Sequence, residues 1–194
     1  PLLFAVGDGN HSLAAAKTCF EEVRAAIGDE AAMAHPARYA LCEVVNLYDE
    51  SLQFEPIYRV MFGVDPADVL DSLHTYAAGL NGTAAPQDIH CIGAFKAQDV
   101  TIEHPVQQLT VGTLQAFIDE YLSTHPEASV DYIHGEASTS TLANKPDAIG
   151  FLFDGMEKSQ LFPTVRFDGA LPRKTFSMGH ARDKRYYMEC RKIK

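Results

Sequence analysis

The sequence predicts an α/β (or α+β) fold, in which a mixed β-sheet is flanked by helices. Apolar runs of strand length alternate from end to end with segments of helical periodicity. Glycine, proline, aspartate and asparagine separate these segments, as expected of turns. The 194 residues, 46% hydrophobic and 22% charged, suit one globular domain. We therefore expect residues 1–194 to form a single α/β domain.

The first predicted strand is Leu2–Val6, a continuous apolar run typical of a strand covered on both faces. "GDGN" follows as a tight turn. Helical spacing of apolar residues then predicts a helix from Asn10 to about Ile27, which Gly28 ends. Asn10 or Ser12 is expected to cap this helix.

A chain seldom begins inside a buried strand, and this one has no initiator methionine or signal peptide before it. We therefore expect it to be the C-terminal part of a longer protein, with an exposed sheet edge that a homodimer would cover. The alternative is a natural N-terminal edge strand of a complete domain.

The following elements are predicted from their periodicity and turn residues. "ARYALCEVVNLY" reads as a central strand and "LQFEPIYRVMFG" as an extended segment. "DPADVLDSLHTYAAGL" predicts a helix, with Asp65 as its cap, proline at its first position and an apolar stripe.

In the remainder, short strands alternate with helices. "IHCIGAFKA" and "QDVTIEH" predict a hairpin, and "TVGTLQAFIDEYLSTHP" predicts an amphipathic helix. "SVDYIHG", "AIGFLFDGM" and "RYYMECRKI" predict strands, and "STSTLANKPD" predicts a polar helix or a loop. Residues 157–179 are expected to form a short helix and turns.

Composition excludes several classes of function. A formal net charge of −10 argues against non-specific binding to nucleic acid or to an anionic membrane, and no apolar run is long enough to span one. The four cysteines form no C-x-x-C pair and the eight histidines no H-x-x-x-H pair, so neither set shows a metal-site signature. Buried free thiols in the cytoplasm fit better; the cysteines are Cys19, Cys42, Cys91 and Cys190.

The motif "DGNHS" lies where the first predicted strand turns into a helix. Free N–H groups and the helix dipole favour an anion at such a junction, so Gly9, Asn10, His11 and Ser12 are candidate phosphate-binding residues. Asp8 would repel phosphate, and suits a magnesium ligand, a base toward a hydroxyl group, or a turn former. The competing interpretation is a structural turn with a helix cap.

Two further motifs carry charged candidates. In "FEPIYR", Glu55 suits a general base or magnesium ligand and Arg59 a bidentate phosphate clamp, or the two form a structural ion pair. In "LPRKTF", Arg173 and Lys174 form a cation pair suited to an anionic ligand, or a solvated turn.

Three separated motifs, "FAVGDGNHSLAAAK", "NLYDESLQFEPIYRV" and "LPRKTFSMGHARDKRYYMECRKI", resemble the bacterial and archaeal family called domain of unknown function 1015. Many members carry "DGHHR" at the first motif. Asp8, Gly9 and His11 match that version, whereas Asn10 and Ser12 depart from it, so the loop lacks its arginine. The "DGHHR" form is also similar to the phosphate-binding motif of the ParB-like superfamily, which implies a nucleotide or phosphorylated metabolite as ligand.

Two function classes follow. The first is an enzyme that binds a nucleotide, with magnesium as a candidate cofactor, or a phosphorylated metabolite, and acts in phosphoryl transfer. We then expect Asp8, His11, Glu55, Arg59 and Lys174 to converge on one cleft. The second is a non-catalytic ligand-binding or regulatory module in which "DGNHS" only shapes a turn.

Overall fold

The computed structural model describes residues 2–7 and 9–178. They divide into two compact units, residues 2–7 and 9–49 in the first unit and residues 50–178 in the second. Helices and a β-sheet are both present, so the α/β class is confirmed. The expectation of one domain that belongs to a longer chain stays a prediction.

The first unit is helical. It contains α1 (Asn10–Ile27), α2 (Asp29–Ala34) and a 3₁₀ turn (Pro36–Arg38). The predicted helix is confirmed, and it ends at Gly28 as expected. Its N-terminal cap is Gly9, whose φ of 82° is a left-handed conformation that favours glycine. None of the described side chains bonds this end, so the predicted cap by Asn10 or Ser12 is wrong.

Two predicted strands of the first unit are wrong. Leu2–Val6 and the segment 39–46 have no regular secondary structure, and their apolar side chains are exposed, 72% for Phe4 and 90% for Leu41. A strand needs a hydrogen-bonded neighbour. The described residues of this unit contain no strand, so neither apolar run finds a partner there.

The second unit is built on one open sheet. Its elements are β1 (Phe54–Phe62), α3 (Pro66–Gly79), β2 (Gln87–Ile92), β3 (Gln98–Ile102), α4 (Thr110–Thr124), β4 (Ser129–His134), α5 (Glu136–Ala143), β5 (Ala148–Leu152), a 3₁₀ turn (Lys158–Gln160), α6 (Leu161–Phe167) and β6 (Phe176–Met178). The strand order is β3-β2-β5-β1-β4, and β6 pairs with the start of β1. Every pairing among these strands is antiparallel, so the sheet is antiparallel and not mixed.

Most sequence predictions for this unit are confirmed. The β2–β3 hairpin, helix α4, and strands β4 and β5 lie where they were expected. Asp65 caps α3, because its side chain accepts a hydrogen bond from the N–H of Ala67 at 2.9 Å. The segment predicted as a polar helix or loop contains most of α5, and β6 was missed within a segment predicted as helix and turns. The predicted last strand, 185–193, lies outside the described residues.

Helices pack on both faces of the sheet. On one face α5 packs on β1 and β5, where Val60, Ala143 and Ala148 form a buried apolar cluster. Gly150 permits this approach, because a Cβ there would lie 2.8 Å from the Cβ of Ala143. On the other face Arg59 contacts Gln115 of α4. Successive side chains of a strand point to opposite faces of the sheet, so one face of β1 is apolar and the other contains the charge of Arg59.

The main core lies between the sheet and the helices. Its fully buried large side chains are Arg59, Met61, Leu73, Ile89, Ile102, Leu114, Ile118, Ile149 and Phe151. Cys91 is also buried, and burial raises the pKa of its thiol to about 12. The expectation of buried thiols is thus confirmed for Cys91 and wrong for the exposed Cys42, while Cys190 lies outside the described residues.

Among the helices of the described chain, none combines the length and the apolar character needed to cross a membrane.

The close approach at Gly82 generates a stability prediction. Its N–H donates to the carbonyl of His104 at 2.8 Å, and a Cβ there would lie 2.0 Å from the backbone oxygen of Pro105. We expect Gly82→Ala to lower the free energy of unfolding by about 1–3 kcal/mol through overpacking. Chemical denaturation measures the loss. The matched control is Gly79→Ala in α3, which meets no atom within 4 Å and should be neutral or stabilising. Equal stability of the two variants would contradict the described contact.

Candidate functional site

A shallow, open depression of about 560 Å³, called the cavity below, lies on the surface of the second unit between α4 and the loop before β6. This volume is in the range that small-molecule sites occupy. The residues that line it are Gln107, Gly112, Gln115, Ala116, Asp119, Pro172 and Arg173. Its charged side chains are one carboxylate and one guanidinium, so it offers hydrogen-bond acceptors and donors together.

Arg59 lies beneath this cavity and is fully buried. Its Nη1 donates to the carbonyls of Ile57 and, at 2.9 Å, of Lys174, and its Nη2 donates to the carbonyl of Arg173 at 3.0 Å. Burial lowers the pKa of Arg59 to about 10, so the side chain still carries its charge at neutral pH. Backbone oxygens of the strand and the loop therefore stabilise this buried charge.

A ring of hydrogen bonds joins Arg59 to the cavity wall. Nε of Arg59 donates to Gln115 Oε1 at 3.3 Å, and Gln115 Nε2 donates to Asp119 Oδ1 at 2.9 Å. Arg173 Nη2 donates to the same Asp119 oxygen at 3.3 Å. Because Arg59 also bonds the carbonyl of Arg173, the ring closes. The loop before β6 is thus fixed to α4 through a buried arginine.

The loop contains a strained residue. Lys174 has a φ of 55°, a left-handed conformation that costs a non-glycine residue about 1 kcal/mol or more. The bond from Arg59 to its carbonyl stabilises this conformation, as does the bond from Thr175 Oγ1 to the carbonyl of Pro172 at 2.6 Å. The turn therefore holds the exposed side chain of Arg173 at the cavity, whereas the side chain of Lys174 is exposed and does not line the cavity.

The ring of Tyr132 supports both guanidinium groups. The Cζ atoms of Arg59 and Arg173 lie 4.8 and 5.6 Å from its centroid. Cation–π attraction of this kind favours the charged forms and partly offsets the repulsion between the two arginines.

The structure brings together three of the predicted site residues, Arg59, Arg173 and Lys174. Arg59 reaches the loop through its buried fork, whereas the side chains of the other two are exposed. Glu55 is half-buried on β1 opposite Ser177. It lies four positions before Arg59, about 13 Å along the strand, and does not line the cavity. The ligand-binding and catalytic roles of these residues stay predictions.

The "DGNHS" candidates belong to the first unit. Asn10, His11 and Ser12 are exposed at the start of α1, and Gly9 forms the left-handed turn before it. Asp8 lies outside the described residues. The convergence of Asp8 and His11 with Glu55, Arg59 and Lys174 therefore stays a prediction. Across residues 2–7 and 9–178, no three histidine, cysteine, aspartate or glutamate side chains are grouped to hold a metal ion.

Sequence reasoning missed Gln107, Gln115, Asp119 and Tyr132. Gln115 and Asp119 are four residues apart on α4, which places both on one face of the predicted helix. The sequence shows this spacing. It does not show the hydrogen bond between Gln115 and Arg59, which are 56 positions apart and are brought together by the fold.

The buried arginine generates a second prediction. Arg59→Met should lower the free energy of unfolding by at least about 2 kcal/mol, because the carbonyls of Ile57, Arg173 and Lys174 lose their buried donor. Thermal or urea unfolding measures it. Arg166→Met, at an exposed arginine of α6, is the control and should stay within about 0.5 kcal/mol of wild type. A loss at Arg59 no larger than this would show that the network is not stabilising.

No curated protein and no solved structure gave a match. A family model described as "Protein of unknown function (DUF1015)" matches residues 1–190, nearly the whole chain. This agrees with the family expected from the three motifs. The chain belongs to the DUF1015 family.

Proposed function

We propose that this protein binds a nucleotide or another small phosphorylated metabolite in the cavity of the second unit, with Arg173 as the principal phosphate contact. One observation carries the proposal. Arg173 presents an exposed guanidinium at the wall of a cavity of about 560 Å³, while Arg59 fixes its backbone from below. A donor whose backbone is already fixed loses less entropy when the ligand arrives.

The present partner of Arg173 is weak enough to be displaced. Its contact with Asp119 is 3.3 Å long, and the two side chains are 64% and 55% exposed. Ion pairs of this kind contribute about 0–1 kcal/mol. A phosphate that forms two parallel bonds with the guanidinium fork competes well against one such contact.

Asp119 and Gln107 would supply selectivity. Asp119 repels a bare phosphate, but its second oxygen accepts hydrogen bonds from a hydroxyl or amino group of the ligand. Gln107 lines the cavity, and no hydrogen bond of its side-chain amide is seen in the described residues. This combination favours a ligand with hydroxyl or amine donors near its phosphate, as in a nucleotide, over inorganic phosphate.

The residues of the cavity favour ligand binding over catalysis. The titratable side chains lining it are Asp119 and Arg173, which are bonded to each other, and neither is arranged as a base beside a nucleophile. Phosphoryl transfer remains a hypothesis that rests on Asp8 and Glu55 as magnesium ligands or base. Phosphate binding by Gly9–Ser12 rests on the partial match of this motif to the family's "DGHHR" form, which resembles the phosphate-binding motif of ParB-like proteins.

The test compares ligands and two arginine variants. We expect ADP or phosphoserine, but not adenosine or serine, to raise the melting temperature of the chain. In calorimetry, Arg173→Ala should weaken the phosphorylated ligand by roughly ten- to a hundredfold, the loss of one charge-assisted contact. Arg166→Ala removes the same charge outside the cavity and should leave affinity unchanged. Equal effects of the two variants, or no stabilisation by any phosphorylated compound, would exclude this site.

Replacing Asp119 tests the proposal in the opposite direction, because this variant should bind the phosphorylated ligand more tightly. Asp119→Asn should tighten phosphate binding several-fold, because Arg173 loses its competing partner and the cavity loses a negative charge. Glu120→Gln removes an equal charge from the next, exposed position and is the matched control. Weaker binding by the Asp119 variant would contradict this expectation, because it would mean that bonds from the ligand to this carboxylate outweigh its competition for Arg173.

A further inference from the structure

Two large apolar side chains are exposed among the described residues of the second unit, and both lie next to one hydrogen bond beside the cavity. They are Val106, which is 58% exposed, and Phe167, which is 69% exposed. The N–H of Gln108 donates to Asp168 Oδ2 at 2.6 Å, and this bond joins the segment before α4 to the end of α6. Gln107, which lies between Val106 and Gln108, lines the cavity. The two exposed apolar residues therefore lie at the border of the cavity.

Both side chains extend from backbone that is fixed. Val106 follows Pro105, whose carbonyl accepts from the N–H of Ala84 at 3.2 Å. Phe167 is the last residue of α6, and the bond of the neighbouring Asp168 holds this end of the helix. Apolar surface that is already held in place loses less entropy when a ligand packs on it.

The ring of Phe167 is open to stacking. The Cζ atom of Arg166 lies 5.6 Å from its centroid, near the outer limit of a cation–π contact. Phe167 is largely exposed in spite of this neighbour, so at least one face of the ring meets solvent. An exposed aromatic ring binds planar groups such as nucleobases by stacking. A nucleotide brings such a group together with its phosphate, whereas a sugar phosphate or a phosphoamino acid such as phosphoserine does not.

We infer that the ligand of the cavity is a nucleotide whose base packs on Phe167 and Val106 while its phosphate bonds Arg173. This inference rests on the proposed function, because it concerns the same ligand. One loop, residues 168–172, joins Phe167 to Arg173, so its two ends present the apolar and the cationic contact. The amide of Gln107 both donates and accepts, which suits the edge of a base.

A matched pair of ligands tests the contact with the base. AMP and ribose 5-phosphate carry the same sugar and phosphate, and only AMP has a base. In calorimetry with the full chain, we expect AMP to bind roughly tenfold or more tightly, the value of stacking one base on an aromatic side chain. Phe167→Ala should weaken AMP to the affinity of ribose 5-phosphate and leave ribose 5-phosphate unchanged. Phe167→Tyr keeps an aromatic ring and should retain the preference for AMP.

The chain contains no tryptophan, so one substitution provides a local reporter. In Phe167→Trp, stacking of AMP on the indole should quench the fluorescence, and ribose 5-phosphate should not. The control is Phe95→Trp in the turn between β2 and β3. This turn lies at the opposite end of β2 from Gln87, which bonds the carbonyl of Gln107, so the emission should not respond to AMP.

The outcomes separate this inference from the proposed function. If AMP and ribose 5-phosphate bind equally and Phe167→Ala alters neither, the base contact is overturned and phosphate binding at Arg173 stands. Equal weakening of both ligands by Phe167→Ala would also overturn the base contact, because the residue would then act through the fold. If neither ligand binds the wild-type chain, the proposed function and this inference fail together.

Discussion

The geometry of the second unit depends on the burial of one guanidinium. Arg59 has lost its water, and such a charge is tolerated only where oxygen atoms replace that water. Two of these oxygens belong to Arg173 and Lys174, 114 and 115 positions away. The loop before β6 must therefore fold back over β1, where β6 then pairs with Phe54, Glu55 and Pro56. The requirement to solvate one buried charge thus helps to determine the path of the last described segment of the chain.

The same network divides the arginines by role. Arg59 is enclosed, and breaking its bonds would leave several buried groups unpaired, so a ligand does not displace them at modest cost. The Arg173 guanidinium contacts one exposed carboxylate and the ring of Tyr132, and solvent screens the ionic contact. From their motifs alone, Arg59 and Arg173 are equal candidates for a phosphate ligand. The difference in burial makes Arg59 a positioning residue for the loop, and under the proposed function it leaves Arg173 as the residue that would contact the ligand.

The sequence predicts an element well where its stabilising contacts are local, and poorly where they come from distant parts of the chain. Helix α1 and the capped helix α3 were predicted because their signals are local: periodicity, a terminal glycine, and Asp65 before a proline. Leu2–Val6 and the apolar run near Leu41 were predicted as strands, but strand formation requires a neighbour that sequence pattern cannot supply. For the site, the three cations were found from their motifs, while Gln115 and Asp119 resembled the polar positions of any amphipathic helix.

Helix α4 connects the cavity to the core. Its apolar side is buried, including Leu114, Phe117 and Ile118. Gly112, Gln115, Ala116 and Asp119 recur at offsets of three, four and seven residues and form one wall of the cavity. A ligand bound there would therefore contact a helix whose position is set by packing on its opposite side. Substitutions on the buried side should change stability first and affinity only as a consequence, whereas a substitution of the exposed Asp119 should leave the fold intact.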